Sequence, residues 1–121
     1  MTWHIDGSAP LYLQLADNLR HAIIGGEYPA GVRIASVREL AADAKVNPNT
    51  MQRALFELER EGLIETHGTT GKYVTDDADI LTRTREAALD GIISDFLKSL
   101  GTLGYGIDEA IVHIKERSDI K

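Results

Sequence analysis

Cysteine is absent from the 121 residues, so the chain forms no disulfide and offers no thiol for nucleophilic or metal chemistry. Proline occurs three times. No apolar run approaches the roughly 20 residues of a membrane span, and none resembles a signal peptide. These absences predict a cytoplasmic protein without a membrane partner. The length suits one domain with a short appendage and is too small for a separate ligand-binding domain of ordinary size.

Positive charge is also scarce. Thirteen Lys and Arg face nineteen Asp and Glu, a net charge of −6, and residues 1–76 alone carry seven basic against ten acidic residues. An acidic balance by itself argues against a nucleic-acid partner. The acids nevertheless cluster in one stretch, at Glu57, Glu59, Glu61 and Glu65. Five basic residues could share another surface: Arg33, Arg38, Lys45, Arg53 and Lys72.

Nothing in the sequence predicts an enzyme. The four histidines lie far apart, and their carboxylate neighbours at helical spacing, Asp17 for His21 and Glu109 for His113, do not form a metal-binding motif. A nucleophile elbow and a dinucleotide-binding glycine fingerprint are both missing. We therefore expect no catalytic residue, no metal and no cofactor.

Two short helices in the middle of the chain are marked by their capping residues. Ser36 is followed three residues later by Glu39, a capping box that starts a helix. Asn47 and Pro48 start a second helix, because Asn caps well and Pro suits the first helical position. The connection between the helices is short, which predicts a helix-turn-helix. In that motif the second helix presents its N-terminal residues to base edges in the DNA major groove.

The second helix has two different faces on a helical wheel. The apolar face comprises Met51, Ala54, Leu55 and Leu58. Asn49, Arg53 and Arg60 lie opposite. Arg53 can donate two hydrogen bonds to a guanine, and Asn49 can pair with an adenine edge. Thr50 and Arg38 suit phosphate oxygens better. Each residue alone could be an ordinary solvated side chain, and it is their combination at this spacing that favours DNA.

A β-hairpin is predicted directly after the second helix. Gly62 ends the helix, residues 63–66 and 72–75 have the pattern of strands, and residues 67–71 form a Gly-rich turn. Such a hairpin is either a plain loop or a wing that contacts the phosphate backbone or the minor groove. Its candidate DNA contacts are His67, Gly68, Gly71 and Lys72.

Segments upstream complete the predicted domain. Residues 10–24 carry an apolar stripe at helical spacing, which predicts a scaffold helix. Residues 32–34 are expected to form a short third strand beside the hairpin. Trp3 and Ile5 are candidates for a packed N-terminal arm, although no pattern fixes them.

These residues resemble the GntR family of bacterial winged-helix transcription regulators. The resemblance covers about residues 8–75 and is carried by Pro10-Leu-Tyr-Leu-Gln-Leu15, Gly26-Glu-Tyr-Pro-Ala-Gly31, Ser36-Val-Arg-Glu-Leu40, Val46-Asn-Pro-Asn-Thr50, Arg53-Ala-Leu55 and Glu57-Leu-Glu-Arg-Glu-Gly-Leu-Ile64. It implies that operator DNA touches Arg38, Thr50, Arg53 and Gly71. Residues 46–50 and the short tail further resemble the YtrA-like subfamily. Two departures are Ala35, where members usually carry proline, and a wing poor in Arg and Lys, which implies a weaker clamp on DNA.

The C-terminal residues 77–121 have a different character. Apolar residues recur at helical spacing in two segments, separated by glycines at 101, 104 and 106. Two short helices cannot cover this much apolar surface from each other, so the tail either packs against its own domain or self-associates. The predicted dimerisation residues are Leu89, Ile92, Ile93, Phe96, Leu97, Leu100, Ile107, Ile111 and Ile114. An effector pocket, if the protein has one, would lie here, and the sequence does not identify an effector.

The sequence thus predicts a mostly α fold with a small β-hairpin: a winged helix-turn-helix domain over residues 1–76, then a helical dimerisation tail over 77–121. The full set of candidate DNA contacts is Ser36, Arg38, Asn47, Asn49, Thr50, Arg53, His67, Gly68, Gly71 and Lys72. We expect a transcriptional regulator, a repressor by resemblance, that binds a palindromic double-stranded DNA operator as a homodimer. The alternative, motivated by the acidic balance, is a winged-helix protein-interaction module without specific DNA binding.

Overall fold

A computed structural model describes residues 1–117 of the chain. Over these residues it has five helices and two strands, in the order α1 (Leu11–Ile24), α2 (Val37–Ala44), α3 (Pro48–Arg60), β1 (Ile64–Thr66), β2 (Lys72–Val74), α4 (Ala78–Thr102) and α5 (Ile107–Glu116). The chain divides into two compact units, Met1–Thr84 and Arg85–Lys121. The predicted domain boundary between residues 76 and 77 lies inside the first unit, because the first turns of α4 belong to it.

The helix-turn-helix forms through the capping residues that predicted it. The Ser36 hydroxyl accepts a hydrogen bond from the Glu39 amide at 3.1 Å, and the Glu39 carboxylate accepts one from the Ser36 amide at 3.3 Å. The Asn47 side chain accepts from the Asn49 amide at 2.8 Å and caps α3. Between the helices Lys45 takes a left-handed conformation with φ of 59°, which closes the tight turn.

The end of α3 is a Schellman motif centred on Gly62. Its amide donates to the Glu59 carbonyl, and the Leu63 amide donates to the Leu58 carbonyl, each at 3.0 Å. Gly62 has φ of 79°, and a Cβ there would lie 3.1 Å from the Ile80 side chain. Only glycine meets both conditions without strain, so the chain leaves α3 in one direction and enters the hairpin.

The predicted hairpin is confirmed, and residues 32–34 lie beside it as predicted, although they form a bridge rather than a third strand. β1 and β2 are antiparallel, with Ile64 opposite Val74. Residues 32–34 contribute a single bridge, in which Arg33 lies opposite Tyr73. The Ile34 amide donates to the Lys72 carbonyl at 3.0 Å and the Val74 amide donates to the Val32 carbonyl at 2.8 Å, but α2 begins four residues after Arg33, so the pairing goes no further.

The core of the first unit lies where α1 and α2 pack against α3 and the hairpin closes one side. Its fully buried large side chains include Leu15, Leu19, Met51, Leu55, Leu58 and Leu63. The predicted apolar face of α3 is therefore confirmed. Because burial of each such side chain contributes about 1.5–3 kcal/mol, this face fixes the rotation of α3 and leaves the opposite face in solvent.

An N-terminal arm is held on α1 and α2 by hydrogen bonds that no sequence pattern indicated. The Trp3 indole donates to Asp43 of α2 at 2.7 Å. The Asn18 side chain accepts from the His4 amide at 2.8 Å and donates to its carbonyl at 3.1 Å. Trp3 packs against the core, but Ile5 remains 40% exposed.

The tail consists of two helices, as predicted. α4 runs through Gly101 to Thr102, and Gly104, with φ of 80°, ends it while the Tyr105 amide donates to the Leu100 carbonyl at 3.0 Å. Within residues 85–117 one side chain, Ala110 of α5, is buried. The tail thus has very little interior of its own.

Candidate nucleic-acid interface

The exposed face of α3 carries the side chains expected to read DNA bases. Asn49 lies in the first turn of the helix and Arg53 one turn later, both exposed, with Thr50 half-buried between them. The amide of Asn49 bonds to Asn47, but within residues 1–117 its side chain has no hydrogen-bond partner. The core packing of α3 therefore presents an amide and a guanidinium group, the types that recognise adenine and guanine in the major groove.

The guanidinium group of Arg53 is stacked on an aromatic ring. Its central carbon lies 3.8 Å from the centroid of the Tyr12 ring, a cation–π contact between α3 and the first turn of α1. Because the N–H groups of a guanidinium lie in its plane, stacking through one face leaves the donors on the edge available. Sequence reasoning missed this contact, since Tyr12 belongs to another helix.

The helix starts also provide phosphate-type donors. Arg38 lies exposed in the first turn of α2 and has no acidic partner among the described residues. Ser36 and Asn47 use their side-chain oxygens as caps, so the Ser36 hydroxyl proton and the Asn47 amide protons remain to be donated. Free amides at a helix start favour anions in the same place.

Lys72, the predicted wing cation, is already paired inside the molecule. Its ammonium group forms an ion pair with Glu59 of α3 and lies 2.9 Å from the Thr66 hydroxyl. The side chains of Lys72 and Glu59 are only 18% and 28% exposed. Lys72 therefore reaches a phosphate only if this ion pair opens.

Arg33 supplies the unpaired charge at the wing. A Cβ at Gly71 would lie 2.8 Å from Nε of Arg33, so the guanidinium group packs directly on this glycine. The bridge to Tyr73 ties the backbone of Arg33 to β2. Arg33 is exposed and has no acidic partner in the described part of the chain. Sequence reasoning had included it only among five cations that could share a surface.

The wing tip itself is lightly charged. His67 stacks on Tyr73 with ring centroids 4.6 Å apart, and its Nε2 lies 3.0 Å from the Glu65 carboxylate. Gly68 is exposed at the tip with φ of 54°, a conformation that suits glycine in the turn. The tip thus offers an imidazole and backbone amides rather than the basic cluster usual in strong clamps.

The clustered acidic residues at the end of α3 and in β1 are all paired. Each of the four carboxylates has a basic or imidazole partner: Glu57 with Arg60, Glu59 with Lys72, Glu61 with Arg20 and Glu65 with His67. The Glu61 pair is bidentate, with distances of 2.6 and 2.8 Å, and it raises the pKa of Arg20. These pairs neutralise much of the negative charge at the end of α3 and along the hairpin.

The predicted dimerisation residues form an exposed apolar surface on the tail. Ile92 is 60% exposed, Leu89 53% and Phe96 42%; Ile93, Leu97, Ile107, Ile111 and Ile114 are also exposed, and Leu100 is half-buried. Between α4 and α5 lies a cleft of about 280 Å³ lined mainly by apolar side chains, with His113 and Arg117 at its edge. Exposed apolar residues grouped in this way are typical of interaction sites.

Over residues 1–117, no helix is long and apolar enough to cross a membrane. Within the same described range, no three histidine or acidic side chains lie close enough together to hold a metal ion.

Comparison with known proteins decides the family. The profile described as "Bacterial regulatory proteins, gntR family" matches residues 11–74, more than half of the chain. The chain belongs to the GntR family. YhcF of Bacillus subtilis, an HTH-type transcriptional regulator, is 35% identical over 108 residues, which cover 89% of each chain. The GntR-family protein is thus similar to a relative along nearly its whole length.

Two more relatives bear on the fold and the subfamily. A solved GntR family transcriptional regulator from Listeria monocytogenes superposes with a TM-score of 0.85 at 35% identity, covering 93% of this chain and 98% of that one. The transcriptional repressor YtrA of B. subtilis is 41% identical over 71 residues, 59% of this chain and 55% of YtrA. The predicted family, the likeness to YtrA and the winged-helix fold with a C-terminal helical part are confirmed. The protein is a DNA-binding transcriptional regulator, and its relatives are regulators rather than enzymes.

Proposed function

We propose that this GntR regulator is a cytoplasmic repressor that binds a palindromic operator as a homodimer, with one α3 in the major groove of each half-site. The observation that carries the proposal is the set of side chains that α3 exposes to solvent. Its outer face presents the unpaired side chain of Asn49 and the free guanidinium edge of Arg53, while the acids at its far end are paired.

Base reading is assigned to Arg53 and Asn49, and positioning on the backbone to the helix starts. Arg53 donates two hydrogen bonds to a guanine, and Asn49 pairs with an adenine. Arg38 and Thr50 bind phosphates that flank the groove, together with the free donors of Ser36 and Asn47. Contacts of this second kind fix the register of the protein on DNA but carry little sequence information.

The wing contributes a weak clamp. We assign its main phosphate contact to Arg33, because Arg33 lies against Gly71 without an acidic partner among the described residues, whereas Lys72 is paired with Glu59. His67 and Gly68 add contacts at the tip. With few cations engaged, the affinity for unrelated DNA should be low and the salt dependence modest.

The tail is assigned to dimerisation. Exposed apolar residues on α4 and α5 would be covered by a second copy, and two copies would present two α3 helices to the two halves of a palindrome. The repressor role is supported by the resemblance to YtrA, which is itself a repressor. A dimer seated on an operator near a promoter would exclude the transcription machinery.

The test measures the affinity of the protein for an inverted repeat taken from the DNA upstream of the gene. Binding is followed by fluorescence anisotropy, with unrelated DNA as competitor. Arg53→Ala should weaken operator binding by about 1–3 kcal/mol per half-site and relax preference at one base position. Arg83→Ala is the matched control, because Arg83 is an exposed arginine of the same unit that bonds only to the backbone of its own helix, at the Asp79 carbonyl.

Two results would contradict the proposal. If unrelated DNA competes as well as the operator, the winged helix is an interaction module and not a sequence reader. If Arg53→Ala leaves the ranking of single-base operator variants unchanged, Arg53 does not read a base.

A further inference from the structure

Tyr12 lies at a position that core packing does not explain. It belongs to the first turn of α1, between Leu11 and Leu13, whose side chains are 37% and 38% exposed. The core-facing residues of this helix are Leu15 and Leu19, which are buried. The ring of Tyr12 is half-buried, and what it contacts across the domain is the guanidinium group of Arg53, at 3.8 Å.

An arginine on an exposed helix face has many rotamers, and holding one of them on a base costs conformational entropy. A ring under the guanidinium lowers that cost because it favours one orientation before DNA arrives. The ring of Tyr12 suits this role, since α1 is anchored by its buried side and the aromatic plane has few degrees of freedom. The contact uses the face of the guanidinium, whereas base recognition uses its edge.

We infer that Tyr12 is a positioning residue for sequence reading, which holds Arg53 in the orientation that meets the base. The inference rests on the proposed role of Arg53 at the DNA. The opposite possibility, that Tyr12 keeps Arg53 away from DNA, is disfavoured by magnitudes. An exposed cation–π contact corresponds to about two- to fivefold in an equilibrium, whereas a bidentate base contact corresponds to about five- to 150-fold.

The experiment is a double-mutant cycle on the full chain, with binding measured on the operator and its single-base variants. Tyr12→Leu should weaken operator binding about two- to fivefold per half-site. Tyr12→Leu should also discriminate less between bases, and it should do so at the same operator position that Arg53→Ala affects. Tyr12→Phe should behave as wild type, because the ring remains. In the Arg53→Ala background, Tyr12→Leu should have no further effect.

A second measurement follows the contact without DNA. A proton on the Arg53 guanidinium should show the ring-current shift of a stacked aromatic in wild type and in Tyr12→Phe, and lose it in Tyr12→Leu. Leu13→Ala, at the neighbouring exposed position of α1, controls for general damage to the helix and should leave the shift unchanged.

Three outcomes overturn the inference. In the first, Tyr12→Leu weakens binding equally with and without Arg53. In the second, Tyr12→Leu tightens binding. In the third, Tyr12→Phe loses as much affinity as Tyr12→Leu, which would indicate a direct DNA contact through the hydroxyl. A different result, an unchanged base ranking in Arg53→Ala alone, overturns the base-reading role first and the positioning role with it.

Discussion

Glu59 offers a way to strengthen DNA binding by removing one carboxylate. In the structure its side chain forms an ion pair with Lys72 of the wing. Glu59→Gln keeps the size of the side chain and removes its charge. Lys72 would then keep only neutral partners, the amide oxygen of the new side chain and the Thr66 hydroxyl at 2.9 Å, and its ammonium group would be able to reach a phosphate.

The size of the effect follows from the number of wings. Each phosphate newly neutralised by a cation steepens the dependence of log Kobs on log salt by about 0.9, so a dimer with two freed wings should gain about 1.8. The protein should also lose stability. Because the pair is partly shielded from solvent, we expect a loss of about 1 kcal/mol in the free energy of unfolding, or about 4 °C in Tm.

The assay is fluorescence anisotropy on operator and on unrelated DNA over about 50–200 mM salt, with thermal unfolding in parallel. Glu86→Gln removes the same charge from an exposed position on α4 and controls for net charge. Binding to both DNAs should tighten in Glu59→Gln at low salt. If Glu59→Gln and Glu86→Gln have the same salt slope, Lys72 does not lie near a phosphate, and the wing does not contact the DNA backbone through this residue.

Three further predictions test the tail, the wing and the packing of the first unit. Replacing Ile92 and Phe96 with glutamate should convert a dimer into a soluble monomer in sedimentation velocity, and a wild-type monomer at micromolar concentration would contradict the dimer. Arg33→Ala should weaken binding to all DNA sequences and reduce the salt slope by about 1 per wing, whereas Lys72→Ala should have a smaller effect on the slope. Burial raises the pKa of Tyr28, so the folded state holds this proton more tightly than the unfolded chain. The resulting stability is complete below about pH 10 and is lost as the pH rises further. Tyr28→Phe should show a smaller alkaline loss in denaturant titrations.

Local signals predicted most of the fold. The boundaries of α2 and α3 follow from Ser36, Asn47 and Pro48, which act within one turn of their own helix, and Gly62 ends α3 through a conformation that glycine favours. Segment 32–34 forms a single bridge rather than a strand, because a turn precedes it at residues 30–31 and α2 follows it from Val37.

The residue types at the site could be predicted from the sequence, but the contacts that their side chains make could not. That Arg53 lies outward follows from the periodicity of α3 alone. That it stacks on Tyr12, or that Lys72 is paired while Arg33 is free, depends on which side chains from distant segments meet. The N-terminal arm is a similar case, because Trp3 is held by Asp43 of another helix. Such contacts have no periodic signature in one sequence.

The acidic composition bears on how the protein selects its operator. Binding to arbitrary DNA is driven by cations that neutralise phosphates, and in this protein several cations are already in ion pairs with its own carboxylates. Fewer phosphate contacts lower the affinity for every sequence, but they do not lower the contribution of a base contact. Base contacts by Arg53 and Asn49 would then make up a larger share of operator binding than in a basic winged helix. We therefore expect discrimination between operator and unrelated DNA to depend strongly on Arg53 even at low salt, where basic regulators lose their selectivity.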